Sequence, residues 1–289
     1  MKRFLQITGI LVGLLFIVGV VVYAFTPREK LLTYVVPEIN NIRVTDVYLT
    51  NQKATMKVQF DATSKIVPVF IYRLKYDFRL YGQSITFGEQ NLKQNSQTGK
   101  IQRITLPVSL QFKQTGNLVQ QQIARQDSVE ARFQVHCNLP LLGRRTFNVT
   151  RKLPIVLPVL SAPRITAVKT EDIGFRHQRL ILTLAITNPN NFDFYLRDLK
   201  VNVQLKTYLA AAGSLPKDLR VKAQQVTSLS LPSATAIERV PADSLNQTSN
   251  LSGPYTLKAN LVAEPVSEAV GIIRLNTTIS DTIQSPKTK

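Results

Sequence analysis

Two-residue alternation constrains this chain more than any other feature. In LKYDFRL, Leu74, Tyr76, Phe78 and Leu80 fall on one side, while Lys75, Asp77 and Arg79 fall on the other. Side chains that alternate sides belong to a strand, and a single apolar side belongs to a sheet buried on one face. The pattern returns at residues 43–49, 54–62, 72–82, 100–112, 129–139 and 145–153, and again at 164–169, 179–187, 194–205, 226–232, 255–264 and 272–280. The expected fold is all-β, built from antiparallel β-sandwiches of the immunoglobulin or fibronectin type III kind, with about seven strands each. One short helix is expected at 117–126, with Asn117 as N-cap and Val119 and Ile123 one turn apart.

The pattern occurs twice. RITAVK at 164–169 echoes RVTDVY at 43–48, and LKVNVQL at 199–205 echoes LKYDFRL at 74–80. The offsets, 121 and 125, agree within a small loop insertion. A repeat of this length implies two copies of one domain, at 36–158 and 159–289. The boundary falls at 153–165, where Pro154, Pro158 and Pro163 suit a short, stiff junction.

Ahead of both copies, residues 1–27 read as a membrane anchor. Residues 4–25, with Phe4 and Phe25 at the ends, carry no charge. As a helix they would be roughly 33 Å long, enough for a bilayer core of about 30 Å. Lys2 and Arg3 precede the run, and Arg28, Glu29 and Lys30 close it. Val22-Tyr23-Ala24 would pass as a signal-peptidase site, but the run exceeds the roughly 7–15 residues of a signal core. A lipoprotein anchor is excluded, because the one cysteine is Cys137. Gly9 and Gly13 have a helix-pairing spacing, although glycine is common in such helices anyway. The expected topology is single-pass, with the N-terminus cytoplasmic and the domains outside, in the periplasm of a diderm bacterium.

Between strands 179–187 and 194–205 stands NPNN, four poor strand formers. Pro189 fixes φ and lacks a donor, while asparagines bond their own backbone and tolerate left-handed turns. The segment reads as a turn that ends an edge strand. A strand, then N-P-N, then aromatics running into L-x-V-x-V-x-L resembles the type 2 late-embryogenesis-abundant family, whose module is also called the WHy domain. The residues that carry the resemblance are Ile186, Thr187, Asn188, Pro189, Asn190, Phe192, Phe194, Leu196, Leu199, Val201, Val203 and Leu205. It covers 159–289. The first copy has Asp61-Ala62-Thr63 where N-P-N would stand, so its kinship rests on the repeat.

Catalytic and metal constellations are missing. HExxH, paired CxxC, GxSxG and GxxxxGK[ST] are all absent, and no pair of carboxylates is grouped for acid–base work. His136 and Cys137 are strand neighbours and point to opposite faces, so they cannot share a metal; His177 lies in FRHQR, a hairpin loop. The chain is therefore expected to be no enzyme and to need no cofactor.

Charge indicates the partner. Lysine and arginine outnumber aspartate and glutamate by 36 to 18. Residues 28–158 hold 19 basic and 8 acidic residues, against 15 and 10 in 159–289. With the domains outside the cytoplasm, nucleic acid is not expected. Anionic membrane lipid is, and possible further partners are other envelope proteins. The resemblance implies stress and desiccation protection of proteins and membranes, or a lipid-binding or lipid-transferring module serving envelope maintenance. A structural spacer that presents a partner-binding surface is the remaining reading.

Overall fold

The computed structural model describes residues 38–63, 70–92, 101–125, 127–139, 143–153, 157–174, 176–205, 209–234, 236–238 and 251–283. The expected span at 4–25 lies outside these, and among the described residues no helix is long and apolar enough to cross a membrane. The first half contains β1 (Glu38–Leu49), β2 (Lys53–Thr63), β3 (Phe70–Leu80), β4 (Gln83–Asn91), β5 (Ile101–Gln111), α1 (Phe112–Arg125), β6 (Val129–Leu139) and β7 (Gly143–Leu153). The second contains β8 (Arg164–Asp172), β9 (His177–Asn188), β10 (Phe194–Leu205), β11 (Leu209–Ser214), β12 (Leu219–Val221), β13 (Gln225–Pro232), β14 (Ile237–Glu238), β15 (Gly253–Pro265) and β16 (Ile273–Ile283). The all-β expectation holds.

The alternation maps directly onto burial. Leu74, Tyr76, Phe78 and Leu80 of β3 are all buried, as are Leu180, Leu182, Leu184 and Ile186 of β9. The helix differs from expectation. It starts at Phe112, straight off β5, and Asn117 lies inside it rather than capping it. Its first turn is closed when the Thr115 hydroxyl donates to the Gln111 carbonyl (3.0 Å), and it buries Thr115, Val119 and Gln122 along one stripe.

The strands form three sheets. One runs β4-β3-β6-β7, and a second sets β9 between β8 and the β13/β14 edge. The third runs β11-β10-β15-β16-β1-β2-β5, with β12 also on β10, and draws strands from both sides of the 153–165 junction. Three-strand order β1-β2-β5 recurs as β8-β9-β13, and four-strand order β4-β3-β6-β7 recurs as β11-β10-β15-β16.

Sheets meet through aromatic side chains. Phe60 of β2 packs on Phe133 of β6 with ring centroids 5.6 Å apart, and within its own sheet Phe133 meets Phe78 of the neighbouring β3 edge-on at 6.1 Å. Tyrosine hydroxyls cross to backbone in both halves: Tyr76 donates to the Pro107 carbonyl of β5, and Tyr255 of β15 accepts from the Ile165 N–H of β8 (3.2 Å). Gly88 leaves room for the Tyr76 ring, since a Cβ there would lie 2.5 Å from the phenol oxygen and the ring would have to move.

The halves join where β1 pairs in parallel with β16, Val47 to Ile273 through Leu49 to Leu275. The Val44 N–H donates to the Ala269 carbonyl (2.8 Å), and the Gly271 N–H donates to the Val44 carbonyl (2.7 Å). Asn51, in the β1–β2 turn, donates to the Thr278 carbonyl and accepts from the Thr277 hydroxyl. The Arg274 guanidinium lies 5.2 Å over the Tyr48 ring. Nearly all of these groups are non-local in sequence, so the seam closes the first described strand onto the last.

That seam makes a prediction. With a protease site inserted after Leu153, the cut chain should elute as one particle in native buffer and separate only in denaturant. Free halves on size exclusion without denaturant would show that the seam does not hold them.

Candidate functional site

The N-P-N stretch becomes a buried polar knot. β9 is a central strand, flanked by β8 and by β13 and β14, and β10 is also flanked on both sides. The expectation that N-P-N ends an edge strand is therefore corrected: it carries the chain from the middle of one sheet to the middle of another. Along that crossing Asn191 is exposed and Pro189, Phe192 and Asp193 are half-buried, so only the polar groups that turn inward must find partners inside.

Asn188 and Asn190 are fully buried. The Asn188 amide donates to the carbonyls of Phe192 (2.8 Å), Lys222 (3.1 Å) and Val221 (3.4 Å). Its oxygen accepts from both the backbone N–H (3.1 Å) and the side-chain amide (2.9 Å) of Asn190. The Asn190 amide also donates to the Val159 carbonyl (2.6 Å), its oxygen accepts from the Val159 N–H (3.0 Å), and its backbone carbonyl accepts from the Gln224 N–H (3.1 Å). Pro189, between them, brings no N–H that would need a partner. Asn188 and Asn190 hold the crossing through their own side chains. They bind the β9–β10 crossing to the β12–β13 loop and to the junction between the halves.

Two partners escaped the sequence reading. Val159 looked like one more apolar linker residue, yet it pairs with Asn190 as a strand neighbour would. Asp193 accepts from the Ala223 N–H (2.8 Å) and from Arg220 Nη2 (2.7 Å) and Nε (2.9 Å). The Ala223 N–H and then the Arg220 guanidinium hold its carboxyl below the usual range. In the first half, at the place of N-P-N, Asp61 accepts from the Asn41 amide (2.9 Å) and Arg103 Nε (3.2 Å), and the Asn41 bond leads in lowering its pKa.

The remaining predicted candidates do not converge. Cys137 is fully buried on the inner side of β6, 3.8 Å from the Arg145 carbonyl, and burial pushes its thiol up to about 11. His136 sits on the other side of β6 with Nδ1 2.9 Å from the Thr146 hydroxyl. His177 is the first residue of β9 rather than part of a loop, and it lies in a different sheet from both. Among the described residues no group of three His, Cys, Asp or Glu side chains could hold a metal ion.

Charge concentrates on β7. Its sequence, GRRTFNVTRKL, holds Arg144, Arg145, Arg151 and Lys152 and no acid. Beside it, the outer faces of β3 and β6 pair their charges: Arg79 with Asp77 (3.5 Å), Arg132 with Glu130 (2.7 Å), and Arg73 with Glu89 of β4 (2.6 Å). Among the described residues the four β7 cations form no ion pair, although Arg144 lies 5.7 Å over the Tyr72 ring. A shallow hollow of about 300 Å³ opens on this face, lined by Lys75, Arg132, Gln134, Asn148 and Thr150 among others.

Residues 183–273 match the family model described as late embryogenesis abundant protein, the family that the N-P-N stretch resembles. The match begins inside β9 and takes in the knot, β10 and β15, and it supports kinship with that family over those residues. No curated protein matches the chain. Among solved structures, red sea bream transglutaminase is 9% identical, with 88% of this chain covered, 32% of that one and a TM-score of 0.23. A Bacteroides uniformis β-glucuronidase is 11% identical, with 79% and 26% covered and a TM-score of 0.25. The chain spans about a third or less of the length of these enzymes, and overlaps this slight carry no argument.

Two outcomes follow. Asn190→Ala strands both backbone groups of Val159 and should cost about 2–4 kcal/mol in urea denaturation, whereas Pro189→Ala should cost about 1 kcal/mol or less. Equal losses would show that the knot is not what holds the crossing. Cys137, with its thiol near 11, should be about one part in a thousand thiolate at pH 8 and should resist a disulfide-exchange reagent until the chain unfolds. Fast stoichiometric labelling of the native protein would contradict its burial.

Proposed function

We propose that this is a non-enzymatic, membrane-anchored protein of the late-embryogenesis-abundant type 2 kind, with two tandem sandwiches outside the cytoplasm and the first docked on an anionic membrane surface. The observation that carries the reading is the acid-free β7 within a first half of 19 basic and 8 acidic residues. Basic residues beside an anionic leaflet contribute about 1 kcal/mol each. The recurring strand orders support two copies, the Phe60–Phe133 and Tyr255–Ile165 contacts support sandwiches, and the uncharged run at 4–25 supports the anchor.

Aromatic packing and tyrosine bridges occupy the space between sheets, and the hollow beside β7 is on an outer face. Lipid contact is therefore read as contact at the outer surface rather than as acyl chains held between sheets. The match at 183–273 favours stress protection as the second reading, in which the same surface shields membranes during dehydration.

The test uses full-length protein in its host. Fractionation should place it in the membrane with a carboxy-terminal tag open to external protease in spheroplasts, and native mass spectrometry in detergent should show co-purified anionic phospholipid. A tag shielded from protease would sink the topology. Lipid-free protein that still preserves a test enzyme through drying would transfer the case to stress protection.

A further inference from the structure

The two four-strand arrangements differ at their last strand, and the difference suggests how the molecule sits on a membrane. Leu74 pairs with Val135, which pairs with Phe147; Leu199 pairs with Leu261, which pairs with Leu275. Phe147 of β7 thus occupies the place of Leu275 in β16. Two residues back, Arg145 stands where β16 has Ile273; four residues on, Arg151 stands where β16 has Ile279. Ile273 is fully buried and pairs with Val47 across the seam, while Arg145 and Arg151 are exposed. The strand that receives a neighbour is apolar at these positions, and its counterpart at the end of its sheet is cationic.

Charges at inward positions of an edge strand oppose the addition of another strand. They explain why β7 ends its sheet. They do not explain Arg144 and Lys152, which point outward beside them, or the absence of any acid on the strand. Together the four form two adjacent pairs, 144/145 and 151/152, with five residues between them, so that Arg145 and Arg151 lie roughly 20 Å apart along the strand at about 3.3 Å per residue. Cations on both sides of one edge, exposed and in no ion pair among the described residues, match a planar surface of negative charge better than a slot for one ligand.

We propose that the open edge of β7 is the element that meets an anionic phospholipid surface, so that the first half stands edge-on with Arg144, Arg145, Arg151 and Lys152 among the headgroups. The hollow on the adjoining face, lined by Lys75, Arg132, Gln134 and Asn148 together with Asp77, whose carboxylate is paired with Arg79, lies where a headgroup phosphate reaching past the edge would meet it. This inference rests on the membrane reading above and adds the contact element and the orientation. Phe87 of β4, 80% exposed, marks the competing geometry, in which the flat outer face of β4-β3-β6-β7 lies down instead.

The experiment uses the full chain reconstituted into phosphatidylcholine vesicles with and without phosphatidylglycerol. An environment-sensitive fluorophore is placed on Thr146→Cys, Phe87→Cys or Ser214→Cys in turn, with buried Cys137 left in place. The label at 146 should shift to the blue only with phosphatidylglycerol, and the shift should fade with salt. The variant with Arg144, Arg145, Arg151 and Lys152 changed to Gln should lose it, at about fivefold in apparent affinity per charge removed. A shift at 87 or 214 without one at 146 overturns the edge-on assignment but leaves membrane contact standing. No shift at any site overturns both readings. Slowed amide exchange along β7, if it accompanied the shift, would mean strand addition and would also overturn the proposal.

Discussion

The fold depends on two buried side-chain amides. Asn188 and Asn190 have no exposure, and each would carry a large desolvation cost if left unpaired. They avoid it by bonding to one another and to four backbone residues of three separate segments. A hydrophobic crossing could bridge the two sheets, but it could not satisfy the carbonyls of Phe192, Val221, Lys222 and Val159 that converge there. The knot therefore fixes where β10 begins, where β13 begins, and where the chain leaving the first half must lie. Within the junction, Val159 is held to Asn190 through both its backbone groups.

Recurrence of the strand orders gives this a second consequence. If the halves were interchangeable, each would end in an open edge strand, and a long open edge invites pairing with other chains. β16 resolves this by pairing with β1, which β2 occupies on its other side. β1 is kinked to do so, with bulges at Asn41 and Asp46, where φ is 53° and 51°; both are types that tolerate left-handed backbone. β7 resolves it with charge. One solution yields an eight-stranded sheet across the chain and the other a cationic rim, and both follow from what stands at a few aligned positions.

Most strands were legible because each is buried on one face, which imposes a period that a reader can count. β4 was not, because QSITFGEQN follows a bulge and substitutes Gly88 for an inward side chain to make room for Tyr76. β11 was not, because LAAAGS offers small residues in place of apolar contrast. The helix was legible in its stripe but not at its start, since β5 enters it without an asparagine, serine or aspartate cap. N-P-N was legible as a turn, while its depth was not: that follows from β9 being central, which is a matter of which strands pair. Val159, Asn51 and the β1–β16 seam lie beyond local reading for the same reason. Their partners are far away in sequence, and no period links them.

The placement of titratable groups separates structure from function here. Burial raises the pKa of Tyr76, Tyr255 and Cys137 alike, so the groups that enter the interior do so in neutral form. Carboxylates near the surface move the other way, because each has a cation or amide at hand: Asp61 with Asn41 and Arg103, Asp193 with Ala223 and Arg220, Glu89 with Arg73. Pairing of this kind consumes cations in place. Among the described residues of the first half, cations outside any ion pair also stand elsewhere, Lys53, Lys75 and Lys113 among them, but β7 gathers four on one strand with no acid. With the core electrically quiet, the long-range field of the first half is set by its excess of surface cations, 19 basic against 8 acidic residues, and it is densest along β7, where four of them share one strand.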